Sequence, residues 1–270
     1  MRAMSQSDAI QLSHAELLLL LGLLGLPAPL ALGPLPAAGH DAGAREQLAG
    51  ALVGLVAREL VQLDANPSQA PVPVAHLVAM LRAIALPSSC LVVAERRGEL
   101  RRAAHLSAHE GALVLHTSPM PRVHRLEPIA DVAAAGLQLA AMLGAPSAPI
   151  GLALSLTAEA LASSIDAAEA GEDAAAHALL CAAGVPGAEA VAFLAALGDT
   201  PARFAIGALR GLRGARPEAL GALAISGAHG AWWSPTGHNG GPLRLAPVAA
   251  HALRRELDGL LEWMQLEGLA

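Results

Sequence analysis

The chain has 270 residues, 54% hydrophobic and only 2% aromatic, with no Tyr and a formal net charge of −6. All 17 basic residues are Arg, which excludes lysine Schiff-base and P-loop chemistry. The acidic balance argues against nucleic acid as a partner, since a duplex binder needs a basic face to displace counterions from phosphates.

Ser13-His14-Ala15-Glu16 has the spacing of a capping box and predicts a helix from His14 to near Gly25. Residues 17–39 carry no charge, but Pro27, Pro29, Pro34 and Pro36 cut the run. What is left falls short of the roughly 20 apolar residues that cross a bilayer, and no basic n-region precedes it. Residues 17–26 are therefore read as a buried first helix, with a signal or membrane segment and an anchor at a membrane surface as the alternatives. A Pro/Gly-rich loop covers 27–40. The stripe Leu48, Leu52, Leu55, Val56 and Leu63 predicts a helix over 44–64. A proline-rich connector over 65–73 leads to a third helix over 74–85. The period then changes, and strands are predicted over 90–95, 100–107, 112–116 and 122–126, punctuated by Gly98, Gly111 and Pro119-Met120-Pro121. Pro128 reads as the first residue of a helix to Leu143. Residues 145–151 read as a joint. Helices follow over 158–170, 172–183 and 186–197, then strands over 202–211, 219–226, 231–234 and 242–245, then a helix over 247–266.

The layout thus occurs twice. Pro128 and Pro247 stand 119 residues apart, as do Gly111 and Gly230, whereas Leu81 and Leu194 stand 113 apart. The six-residue difference between these spacings implies a longer hairpin in the second copy. Each half, 1–144 and 152–270, reads as helices, a four-strand antiparallel meander and a helix. The expectation is an α+β chain with a pseudo-two-fold repeat.

No motif names a reaction. Cys90 and Cys181 lie apart in apolar runs, as reduced thiols of a cytoplasmic protein do. His105, His109, His116 and His124 fall in one meander, but their spacing matches no metal motif. They read as surface or half-buried histidines, with pH sensing as the sharper alternative. No metal or other cofactor is expected. Arg96, Arg97, Arg101 and Arg102 crown one hairpin, a solvated tip or a contact for an acidic partner. Adjacent strand residues point to opposite faces, so a two-sided sheet buries both Trp232 and Trp233, and a sheet covered on one face turns one of them outward as an interface anchor. With Leu209, Leu212 and Arg213 on the longer hairpin, and Phe193 among the helices over 176–197, the outward one forms the candidate partner-binding patch. Exposed sheet edges would also permit a homodimer. Two other readings stand beside protein binding. One is a regulatory or structural subunit with a winged-helix-like N-terminal module; the other is an enzyme whose site brings His105 and His109 together with a carboxylate.

The chain resembles the EspG family of type VII (ESX) secretion chaperones. The likeness runs from Ser13-His14-Ala15-Glu16-Leu17 through Ala57-Arg58-Glu59-Leu60-Val61, the proline-rich connector and the first meander to Gly230-Ala231-Trp232-Trp233-Ser234 and the last helix. The resemblance implies two similar subdomains around a central sheet. It also implies a non-catalytic cytosolic protein that holds the hydrophobic tip of a helical PE/PPE-type secretion substrate soluble before export.

Overall fold

The computed structural model describes residues 9–32, 42–64, 66, 68–144, 153–198, 200–236 and 242–264. Strand β1 (Ile10–Ser13) runs straight into helix α1 (His14–Leu23). The capping box forms: the Glu16 amide donates to Ser13 Oγ at 3.2 Å, and the Ser13 amide donates to Glu16 Oε2 at 2.7 Å. Gly25, at φ 61, ends the helix, with its amide bonded to the Gly22 carbonyl and that of Leu26 to Leu21.

Helix α2 (Ala42–Ala57) stops short of its predicted end. Glu59 takes a left-handed φ of 58, and the Leu60 amide closes back on the Leu55 carbonyl. Strand β2 (Val61–Gln62) then pairs with β3 (Val72–Pro73). Leu63, which fits the helical stripe in sequence, lies beyond the helix and is exposed. Helix α3 (Ala75–Ala85) precedes the first meander: β4 (Ser89–Arg97), β5 (Leu100–His109), β6 (Ala112–Met120) and β7 (Val123–Pro128), closed by α4 (Val132–Leu143). The second half repeats the order with β8 (Leu154–Leu156), α5 (Ala158–Glu169), α6 (Asp173–Ala182), α7 (Gly187–Leu197), β9 (Ala202–Arg210), β10 (Glu218–Ser226), β11 (Ala231–Thr236), β12 (Leu243–Pro247) and α8 (Ala250–Trp263). The predicted joint over 145–151 lies outside the described residues.

Pro128 and Pro247 are not helix starts; each is the last residue of a strand. Beside Pro128 the edge strand β1 has already ended at its Leu126 partner, and beside Pro247 strand β8 has ended at Leu245. On that side neither ring displaces a ladder hydrogen bond. The cap of α4 is Asp131, whose Oδ1 accepts the Ala134 amide at 2.7 Å.

The fold is α+β with a pseudo-two-fold repeat around one ten-stranded antiparallel sheet, ordered β1-β7-β6-β5-β4-β9-β10-β11-β12-β8. The order is palindromic: each strand of one half has its counterpart at the mirrored place. The two first meander strands meet at the centre, in register from Ser89 opposite Arg210 to Arg96 opposite Arg203. Strand alternation then divides the molecule into layers. On one face Leu91, Val93, Phe204, Ile206 and Trp233 pack under α4 and α8. On the other face α1–α3 cover Leu12, Val114 and Leu126, while α5–α7 cover Ile225, Trp232 and Leu245.

Candidate functional site

The two helical groups on that second face sit toward the sheet's two ends. Between them the central strands β5, β4, β9 and β10 turn small side chains outward. Ala94, Ala103, Ala205 and Ala219 are exposed, and Val92, His105, Gly207, Leu209, Gly221 and Leu223 are half-buried. The result is a shallow trough whose exposed floor is Ala, with Gly, Val, Leu and His half-buried beside it, and with the pseudo-two-fold axis passing through its middle. Small residues hold the floor low, so a partner's backbone can approach the sheet closely.

Both ends of the trough are pinned. At one end Arg203 Nη2 donates to Asp166 Oδ1 at 2.7 Å and to Glu169 Oε2 at 2.9 Å, and Arg96 Nη2 reaches the same Asp166 oxygen at 3.2 Å. This cluster ties strands of both halves to α5. At the other end the β9–β10 connection folds onto the start of β4, with the Leu212 amide on the Ser88 carbonyl at 3.1 Å. The connection spans 211–217, where β4 and β5 are joined by Gly98 and Glu99 alone, so the second hairpin is the longer one, as the sequence spacing implied. Arg210 anchors its base on the opposite face: its guanidinium lies 4.4 Å over the Trp263 ring and its Nε donates to Glu218 Oε2 at 2.9 Å.

Of the six residues expected to form a partner patch, the structure leaves three at the surface. Leu209 and Leu212 are half-buried beside the trough and Arg213 is exposed. Neither tryptophan points outward: of the two readings, burial of both holds. Trp232 points into the α5–α7 layer, its ring 4.8 Å from that of Phe193 in an edge-on contact, and Trp233 points into the α4–α8 layer. Helices cover both faces of β11, so alternation buries both indoles, and Phe193 with them. The Ala floor escaped sequence reasoning because small residues carry no interface signature. The signal available was their alternation in the four strands that meet at the centre.

The meander histidines also rearrange. His116 and His124 are buried on the face under α1, and His105 sits across the ladder from His116. His14, at the first turn of α1, joins them: its Nδ1 lies 3.1 Å from His124 Nε2, and His124 Nδ1 lies 3.0 Å from His116 Nε2. Burial, reinforced by the neighbouring imidazoles of His124 and His105, pushes His116 down to about 3. Burial also lowers His105, and burial together with His14 lowers His124. His109 stands apart, 3.7 Å from Glu110. The triad of His105, His109 and a carboxylate therefore does not assemble. Among the described residues no three His, Cys, Asp or Glu side chains come together to hold a metal.

A cleft of about 740 Å³ opens on the opposite face, beside α4 and the β4–β5 hairpin. Arg97, Arg102 and Arg125 line it, but Glu95 lies 3.6 Å from Arg97, and Glu127 holds Arg125 at 3.0 Å and accepts from Gln138. Its charges nearly cancel. Helices α1–α3, read in sequence as a winged-helix-like module, bury their apolar faces against β1, β6 and β7 as a layer of the sheet. Among the described residues no helix is long and apolar enough to cross a membrane.

The fold is shared with a solved structure. The solved structure of the Mycobacterium tuberculosis type VII secretion system chaperone EspG5, in complex with a PE25–PPE41 dimer, matches 94% of this chain and 96% of that chain, with a TM-score of 0.69 at 13% identity. At that identity the likeness establishes the fold. No family model and no curated protein matches the chain.

Proposed function

We propose that this chain is a non-catalytic chaperone or adaptor of the bacterial cytoplasm that holds the apolar tip of a helical secretion substrate in the central trough. The observation that carries the reading is the accessible Ala floor between the two helical groups, in a fold whose solved counterpart is a chaperone bound to a PE25–PPE41 dimer. An apolar helix tip laid on that floor loses water on both surfaces, worth about 25 cal/mol per Å² of apolar area buried. Leu209, Leu212 and Arg213 extend the surface at one end. Phe193 and Trp232 support the α5–α7 wall from within, Trp233 packs under α4 and α8 on the opposite face, and none of the three makes direct contact.

The test is coexpression with small helical secreted proteins encoded nearby, followed by copurification. Ala205→Arg and Ala94→Arg raise the floor with long side chains at exposed positions, where folding tolerates them. Copurification by the parent chain and its loss in both variants, at unchanged melting temperature, supports the reading. Equal recovery with the variants removes the trough from it.

A further inference from the structure

The histidine chain has a proton capacity that follows from its geometry alone. Two links join three imidazoles, and each link holds one hydrogen between two nitrogens. Only His14 Nε2 and His116 Nδ1 lie outside the links. Three neutral rings bring three hydrogens, which fill both links and one outer nitrogen. One more proton fills the other outer position. A fifth hydrogen has no place unless a link opens to set N–H against N–H. His116 Nδ1 is moreover buried without a partner, so the outer position it offers is a poor one.

The links cross elements. His14 belongs to α1, His124 to β7 and His116 to β6, so the chain ties the β1–α1 unit to the sheet. The same junction carries the His14 amide on the Arg122 carbonyl at 2.8 Å and the four-residue pairing of β1 with β7. The other titratable groups around it are few. On β5, His105 faces His116 and His109 lies farther along the strand. On α1, Glu16 is held at 2.6 Å by Arg58, just past the end of α2. Helix α3 turns Leu77, Met80, Leu81 and Ile84 inward and leaves His76 and Arg82 exposed. The 3-10 turn Leu30–Leu32, which lies over β5, has no titratable side chain. Among the described residues, no carboxylate apart from the Arg-bound Glu16 stands ready to stabilise added charge.

We propose that His14, His124 and His116 form an acid-labile latch that locks the β1–α1 unit onto β7 and β6 while neutral and releases it when the three rings take up more than one proton. The sheet edge at β7 is then uncovered. This device is independent of partner binding at the trough.

Hydrogen exchange tests it on the full chain. After correction for intrinsic rates, protection of the β1 and α1 amides should fall at least about tenfold between about pH 7.5 and about pH 5.5 and should then lie well below that of β4 and β9, which exchange only on global unfolding. His124→Gln, which donates and accepts without titrating, should abolish that difference. Equal protection of β1 and α1 at both pH values, or protection of β1 at about pH 5.5 as high as that of β4, would overturn the latch. If the variant does not fold, imidazole nitrogen NMR of the parent chain decides the matter. A directional set of tautomers, with no more than one added proton before β1 exchanges, supports the latch; independent titration of the three rings overturns it.

Discussion

His116 shows how one residue sets a limit on the whole chain. Its buried ring holds a pKa of about 3, against an ordinary value near 6.5 in the unfolded chain. Below pH 6.5 the unfolded state therefore binds the extra proton and the folded state does not. Stability is complete above that pH and is lost as the pH falls toward 3, at about 1.4 kcal/mol per unit, or about 2 kcal/mol by pH 5 for this ring alone. Unfolding free energies from urea titrations at neutral pH and near pH 5 should differ by more than that, with the midpoint falling, since His105 and His124 shift in the same direction. His116→Gln should flatten the slope, and an unchanged parent midpoint would contradict the burial argument. Trp232→Ala removes the largest fully buried side chain and its contact with Phe193, at a cost of about 3–5 kcal/mol. Gly227→Ala is costly for another reason. A Cβ there would lie 2.6 Å from the Ala196 carbonyl oxygen and 2.6 Å from Leu197 Cα, both backbone atoms of α7 that cannot swing aside. Thermal melts of these variants check both effects. Trp232 and His116 stand out in the sequence and Gly227 does not, and sequence left the direction of Trp232 open because whether helices cover one face of a strand or both is a tertiary fact.

Among the elements, those with local causes were legible and those with distant partners were not. The start of α1 is written in four consecutive residues, so Ser13→Ala should remove a real cap and cost about 1 kcal/mol by chemical denaturation. A change below a few tenths would mean that burial of Leu17, Leu20 and Leu21 alone holds the helix. The four long strands of the first meander show their period and turns in sequence. Strands β1 and β8 do not. They are four and three residues long, sit directly before or near a helix, and pair with Val123–Leu126 and Leu243–Leu245. Only that pairing makes them strands. Pro128 and Pro247 misled for a related reason: a proline just before a helical pattern suits a helix start, but the same ring is accepted at a strand end whose outer neighbour has stopped. The trough is invisible at this scale too, since its Ala and Gly residues are scattered over four strands and acquire meaning only when those strands lie side by side.

At the scale of the molecule, the sequence repeat implied two alike halves but not how they join. The structure joins them by pairing β4 with β9, equivalent strands, along eight residue pairs from Ser89–Arg210 to Arg96–Arg203. The core beneath is shared as well: Leu91 and Val93 from one half and Phe204 and Ile206 from the other lie under α4 and α8. Helix α4 meets α8 at Gly136, close to the Arg254–Asp258 pair. A fragment comprising 1–144 would therefore expose a nine-residue edge strand and half of that core. Edges of that kind seek a partner, and the element best shaped to cover β4 is one that occupies the same place in its own half. A second copy of the fragment supplies it, with β4 antiparallel to β4 about a true two-fold axis in place of the approximate one. The fragment is expected to sediment as a dimer at micromolar concentration, and Val93→Asp, placed at the centre of the new seam, should abolish it. A well-folded monomeric fragment would show that each half closes its own core, and that the continuous sheet is a docking of two finished units instead of one shared fold.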